Sequence, residues 1–130
     1  MKILLDTHVW LWWQMAPDRL GVGAREAIGS MDNEVHLSAV SSWEMAIKIV
    51  AGKLQLPRPL AEMVPESLLQ DGFINLPIQP AHCFALHTLP MHHRDPFDRM
   101  LVAQAGTEDC TLVTADQQLA RYPAAVLRAG

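Results

Sequence analysis

Cysteine is scarce in this 130-residue chain: Cys83 and Cys110 are the only two, and no C-x-x-C pair occurs. Two isolated thiols exclude a disulfide framework and a cysteine-based zinc or redox motif, and they fit a reducing, cytoplasmic compartment. Long apolar runs are also missing. Only Ile3, Leu4 and Leu5 separate Lys2 from Asp6, and no stretch approaches the roughly 18 residues that span a bilayer, so neither secretion nor membrane insertion is expected. Nor is there a basic excess, since ten Lys and Arg face fourteen Asp and Glu for a net charge of −4. The charge makes no case for a sequence-independent grip on nucleic acid through counterion release, and any such contact must be local or carried by a metal ion. Repeats, low-complexity tracts and linkers are absent as well, which makes residues 1–130 one expected domain. With 50% hydrophobic residues, a chain of this size buries roughly two-thirds of its surface on folding.

What is present alternates between short apolar runs and helical patterns. Lys2-Ile3-Leu4-Leu5 reads as a buried parallel strand ended by Asp6. A Trp-rich helix is predicted from Thr7 to about Met15, stopped by Pro17-Asp18, and a second from about Val22 to Met31. Val35-His36-Leu37 makes a second strand. Ser38, Ser41 and Ser42 offer N-caps for a helix over about Ser42 to Ala51, with Gly52 as its stop. Further on, a helix is predicted from about Leu60 to Gln70, a strand from Phe73 to Leu76 and a helix from Pro80 to about Leu89. Asp95 as N-cap and Pro96 in the first helical position open a helix that continues through Ala105 and should end at Gly106. Thr111 to Thr114 is a strand, Ala115-Asp116 a turn, Gln117 to Arg121 a short helix and Ala125 to Leu127 an edge strand. This alternation implies an α/β fold with a mostly parallel central sheet between helical layers, a three-layer α/β/α architecture.

In such a sheet, ligands bind outside the carboxyl ends of the strands. Asp6 follows its strand directly and Asp116 lies just past Leu112-Val113-Thr114, and Glu44 and Asp98 fall in the first turns of helices that begin on the same edge. Each acid has a plain reading of its own. Asp6 and Asp116 would serve as N-caps, Glu44 would pair with Lys48 four residues on, and Asp98 would reach back to the backbone at Asp95. Together those readings weaken, because carboxylates crowded within a few ångströms repel and raise one another's pKa. Lys48 and Arg99 are too few to offset four acids, which leaves a shared proton or a bound cation. An all-oxygen donor set suits a hard ion, Mg²⁺ or Mn²⁺. Such an ion polarises a phosphoryl oxygen and supplies hydroxide near neutral pH, so a phosphodiester is the natural substrate.

Four stretches then carry a resemblance: LDTHVWLWW from Leu5, LSAVSSWEMAIKIVAGKLQLP from Leu37, RDPFDRMLVAQA from Arg94 and LVTADQQL from Leu112. In this order and spacing they are specific, and the chain resembles the PIN-domain family along nearly its whole length, in particular the VapC-type toxin ribonucleases of toxin–antitoxin pairs. The resemblance implies a PIN-like fold in which Asp6, Glu44, Asp98 and Asp116 form the catalytic, metal-binding site of a Mg²⁺-dependent endoribonuclease. It implies that Thr7 and Thr114 are hydroxyl-bearing residues that orient ligands or water. Asp95 belongs to a variant of the third motif and is read as a helix N-cap ahead of a direct ligand. Products with 3′-hydroxyl and 5′-phosphate ends, a homodimer and inhibition by a small cognate antitoxin are further implications. His8 and the tryptophans after it depart from the pattern of the wider family and resemble a subgroup whose antitoxins can carry a Phd/YefM-like DNA-binding part in place of a VapB-like one, so the implied antitoxin is VapB-like or Phd/YefM-like.

The remaining features are read more plainly. Adjacent His92 and His93 share no helix face and no His-x-x-x-His occurs, so histidine is not expected to hold the metal and is placed in loops near the RNA path. Trp10, Trp12 and Trp13 cannot all face one core; one or two pack inside and the rest suit a dimer or antitoxin surface. Trp43 is expected in the core. Lys48, Arg94 and Arg99 are candidate RNA-phosphate contacts, weighed against a role as solvated helix-surface charges, as is Lys53. Two other classes remain open: a catalytically inactive PIN scaffold that binds RNA or a protein partner, and a receiver-like phospho-acceptor. The complete acid set argues against the first. The second needs a phosphorylatable Asp ending a middle strand and a Lys ending a late one, and neither is visible.

Overall fold

A computed structural model describes residues 1–122 and 125–130. Five strands, β1 (Lys2–Leu5), β2 (Glu34–Ser38), β3 (Ile74–Leu76), β4 (Thr111–Thr114) and β5 (Val126–Arg128), form one sheet in the order β3-β2-β1-β4-β5. Each of the four pairings is parallel. The helices are α1 (Thr7–Met15), α2 (Val22–Gly29), α3 (Ala39–Val50), α4 (Leu60–Gln70), α5 (Pro80–His87) and α6 (Pro96–Thr107), with 3₁₀ turns at Pro17–Arg19 and Gln117–Arg121.

Strand alternation sends successive side chains to opposite faces. Ile3, Leu5 and Val113 join a core with Trp10, Ile28, Met63 and Phe73 from α1, α2, α4 and the entry to β3. Leu4 and Leu112 join a second core with Leu101, Leu119 and Tyr122. The sheet is thus covered on both faces, which gives the three layers. Trp10 is completely buried and its indole N–H donates to Ser67 Oγ at 3.1 Å. His36, buried in mid-β2 with neither ring nitrogen hydrogen-bonded, is kept neutral: burial above all, and then Lys2, push its pKa down.

Several expected boundaries move for local reasons. Ser38 is the N-cap of α3, its hydroxyl accepting from Val40 N at 3.0 Å, so the helix starts at Ala39 rather than near Ser42 and Glu44 falls in its second turn. The strand before it runs from Glu34 to Ser38, longer than Val35–Leu37. Gly106 does not end α6; the helix reaches Thr107, and the left-handed residue after it is Asp109 at φ 57°, a conformation that a short polar side chain tolerates. Met31 lies past the end of α2 at Gly29, and Leu89 past the end of α5 at His87. Trp43 is not core. Val40, Ser41, Glu44 and Met45 take the inward face of α3, which leaves Trp43 outside, 52% exposed and edge-on to Phe97 at 4.9 Å.

From β1 the chain builds outward through β2 to β3, then crosses back to place β4 on the other side of β1. The carboxyl ends of β1 and β4 therefore flank the point where strand order reverses, the usual position of a crevice in an open α/β sheet.

Candidate functional site

A crevice of about 250 Å³ opens at that point, and its lining includes Asp6, Glu44, Lys48, Asp95, Asp98 and Asp116, with His8 and Trp12 at its side. Asp6 leaves β1 and Asp116 leaves the turn after β4; Glu44 comes from α3 and Asp98 from the first turn of α6. Four separated parts of the chain thus bring their acids to one place. Asp6 and Glu44 are its buried members, 5% and 2% exposed, while Asp98 and Asp116 are half-buried.

Asp6, Glu44, Asp95 and Asp116 each accept from a named donor. Thr114 Oγ1 donates to Asp6 Oδ2 at 2.6 Å, and Thr7 Oγ1 donates to Glu44 Oε1 at 2.8 Å. Lys48 Nζ donates to Glu44 Oε2 at 2.5 Å, and this contact, more than any other, raises the lysine's pKa. Asp116 Oδ1 caps the following 3₁₀ turn by accepting from Gln118 N at 2.9 Å. Asp95 Oδ1 accepts from Phe97 N at 2.8 Å and Asp98 N at 3.2 Å, so Asp95 is the N-cap of α6 and fixes the turn that carries Asp98. Of the plain readings, capping therefore holds for Asp116 but not for Asp6, whose side chain makes no cap bond. The Glu44–Lys48 pair forms, and the cap bond at α6 runs from Asp95 to the backbone of Asp98 rather than the reverse.

The electrostatics are one-sided: a single ammonium, Lys48, faces five carboxylates in the crevice lining. Burial, followed by the charges of Asp6, Asp95, Glu44 and Asp116, pushes the Asp98 carboxyl up to about 8. Burial also raises Asp6 against the lowering effect of the Thr114 hydrogen bond. Without a cation, at least one of these acids holds a proton at neutral pH. The donors that converge here are carboxylate oxygens, a set that fits a hard divalent ion. Oxygens of Asp98 and Asp116 and the ring of His93 come within 4.8 Å of one another, while Asp6 and Glu44 line the crevice outside that tightest group.

The family model for the PIN domain matches residues 3–125. The chain belongs to the PIN-domain family. Ribonuclease VapC22 of Mycobacterium tuberculosis is 32% identical to it over 118 residues, covering 90% of this chain and 88% of that protein. Among solved structures, VapBC2 from Rickettsia felis, bound to a DNA fragment from its promoter, superposes with a TM-score of 0.75 at 15% identity and full coverage of both chains. FitAcB from Neisseria gonorrhoeae superposes with a TM-score of 0.65 at 23% identity, covering 96% of each chain. These two are likenesses of fold.

In this PIN domain the basic residues near the acidic motifs divide. Lys48 lines the crevice, and Arg94 is exposed immediately before the lining residue Asp95. Arg99 was expected along the same path, yet its guanidinium donates to Pro90 O at 2.9 Å, Tyr122 Oη at 3.3 Å and Leu86 O at 3.4 Å, which makes it a brace for the loop before α6. His93 is the residue that sequence reasoning undervalued. Its Nε2 lies 2.9 Å from Asp116 Oδ2 and 3.4 Å from Asp98 Oδ2. The available signal was its position two residues ahead of the Asp95 cap, which puts it beside the start of α6. No helix among the described residues is long and apolar enough to cross a membrane.

Proposed function

We propose that this PIN domain is a Mg²⁺-dependent endoribonuclease toxin of the VapC type, with Mn²⁺ able to substitute, which cleaves single-stranded or looped RNA and leaves 3′-hydroxyl and 5′-phosphate ends. One observation carries the reading: five carboxylates converge on a crevice at the strand-order reversal with one ammonium to balance them. In this reading Asp6, Glu44, Asp98 and Asp116 hold the ion. When bound, the ion supplies positive charge for the phosphodiester and a water acidic enough to act as nucleophile near neutral pH.

The protein's own groups have separate tasks. Thr114 and Thr7 hold the Asp6 and Glu44 carboxyl groups in place through the hydrogen bonds that their hydroxyls donate. Lys48 fixes the second Glu44 oxygen, and Asp95 holds the first turn of α6 so that Asp98 meets the other acids. Lys48 and Arg94 offer phosphate contacts on the RNA path. The VapBC complexes among its structural likenesses support a small antitoxin as the inhibitor, and the sequence resemblance makes it VapB-like or Phd/YefM-like. A homodimer, a cytoplasmic location and a single PIN unit over residues 1–130 complete the proposal.

The direct test incubates the purified protein with single-stranded RNA in Mg²⁺ or Mn²⁺ and, separately, in EDTA. Cleavage with either metal and its loss in EDTA is the expected result. RNA binding without cleavage under every condition would instead support the inactive scaffold.

A further inference from the structure

His93 sits close enough to Asp98 and Asp116 to look like a third metal ligand. Its hydrogen bonds argue otherwise. The backbone N–H of Asp95 donates to His93 Nδ1 at 3.0 Å. A ring nitrogen that accepts carries no proton, and a neutral imidazole has one N–H, so the hydrogen falls on Nε2. That nitrogen is 2.9 Å from Asp116 Oδ2, and a carboxylate oxygen only accepts, so Nε2 donates to it. The lone pair on Nδ1 is occupied by Asp95, and Nε2 has none to offer a cation while it carries its proton.

We propose that His93 is a positioning residue whose Nε2–H, fixed by the Asp95 backbone, holds the Asp116 carboxylate in the orientation that receives the divalent ion. The inference rests on the metal reading above. With Oδ1 held by Gln118 N and Oδ2 by His93, both oxygens of Asp116 are anchored, and their remaining lone pairs are left for the ion. The arrangement completes a pattern: Thr114 does this for Asp6 and Thr7 for Glu44. The loop that carries His93 is itself anchored. Its backbone N–H donates to Tyr122 Oη at 2.9 Å, and Arg99 ties that same hydroxyl to the carbonyl of Pro90. Arg99 thus reaches the acidic crevice through Tyr122 and His93.

Partners of this kind around a metal site typically change metal affinity by about 10–100-fold when removed. The test is Mn²⁺ binding, followed by titration of the free-ion EPR signal, on the folded full chain and on His93→Ala and His93→Gln, together with pulsed EPR of the wild-type Mn²⁺ complex. His93→Ala should bind Mn²⁺ about 10–100-fold more weakly. His93→Gln keeps an amide N–H donor and should recover most of the loss, and the wild-type complex should show no directly bonded imidazole nitrogen. A direct nitrogen coupling, a glutamine variant as weak as alanine, or an alanine variant that binds as tightly as wild type would each overturn the positioning role. Wild-type protein that binds no Mn²⁺ would overturn the metal reading along with it, so the two failures are told apart.

Discussion

The two ends of α6 bury polar groups in opposite ways. At its C-terminal end His82 is fully buried, and its Nε2 meets Glu108 Oε1 at 2.9 Å while Nδ1 accepts from Gln79 N at 3.0 Å. Lys2 Nζ donates to Glu108 O at 2.8 Å, placing a cation where the helix dipole is negative. Gln104 joins this group, accepting from Ser38 Oγ at 2.5 Å. At the N-terminal end Asp95 and Asp98 enter a crevice where carboxylates outnumber ammonium groups five to one. The first end closes on itself; the second is left open to something from outside. Buried polar groups that satisfy one another specify the fold, whereas an uncompensated cluster costs stability and persists where it is used.

Substitutions at the two ends should separate these roles. The largest effect is expected at the open end: Asp6→Asn or Asp98→Asn should abolish RNA cleavage, a loss of about 10²–10³-fold or more, while circular dichroism stays that of the folded wild type. Full activity in either variant would place the chemistry elsewhere. At the closed end, His82→Ala removes a fully buried ring and leaves Gln79 N without its acceptor, which should cost about 2–3 kcal/mol in urea unfolding, with cleavage per folded molecule unchanged. A variant as stable as wild type would show that the pairing there is incidental.

A smaller contrast appears with pH. In the folded protein Asp98 sits at about 8, against 3.8 for an ordinary aspartate, so the folded state holds a proton that the unfolded chain releases. Its contribution is fully present below about pH 4 and is lost as pH rises through about 8. Metal-free protein should therefore melt at progressively lower temperature from pH 5 to pH 9, and Asp98→Asn should flatten the slope. The same slope in both proteins would remove Asp98 from the explanation. Least of all, Arg94→Glu should weaken cleavage a few-fold and lower the salt dependence of RNA binding by about one unit of slope; an unchanged salt dependence would take Arg94 off the RNA path.

Much of this was legible because strand ends and helix starts are local features. Asp6 ends an apolar strand run, Asp116 lies in the turn just past another, and Asp95-Pro96 announces a helix start, so their arrival at one sheet edge follows from βα alternation. Glu44 was assigned to the right helix but one turn too early, because three serines compete as caps and only packing selects Ser38. Gly106 and Trp43 failed for a shared reason. Composition names a helix breaker and a core residue, but backbone continuation to Asp109 and the burial face of α3 decide the outcome. His93 escaped because its role depends on which ring nitrogen the Asp95 amide engages, a three-dimensional fact that residue spacing does not carry.

The claim that the crevice is built for a divalent ion is tested most directly by thermal unfolding at pH 8 with increasing Mn²⁺, wild type beside Asp98→Asn. Saturable stabilisation of the wild type, about 2.7 kcal/mol when free metal reaches 100 times its dissociation constant, with little in the variant, is the predicted result. A wild type whose melting temperature ignores Mn²⁺, or a variant stabilised equally, would contradict it.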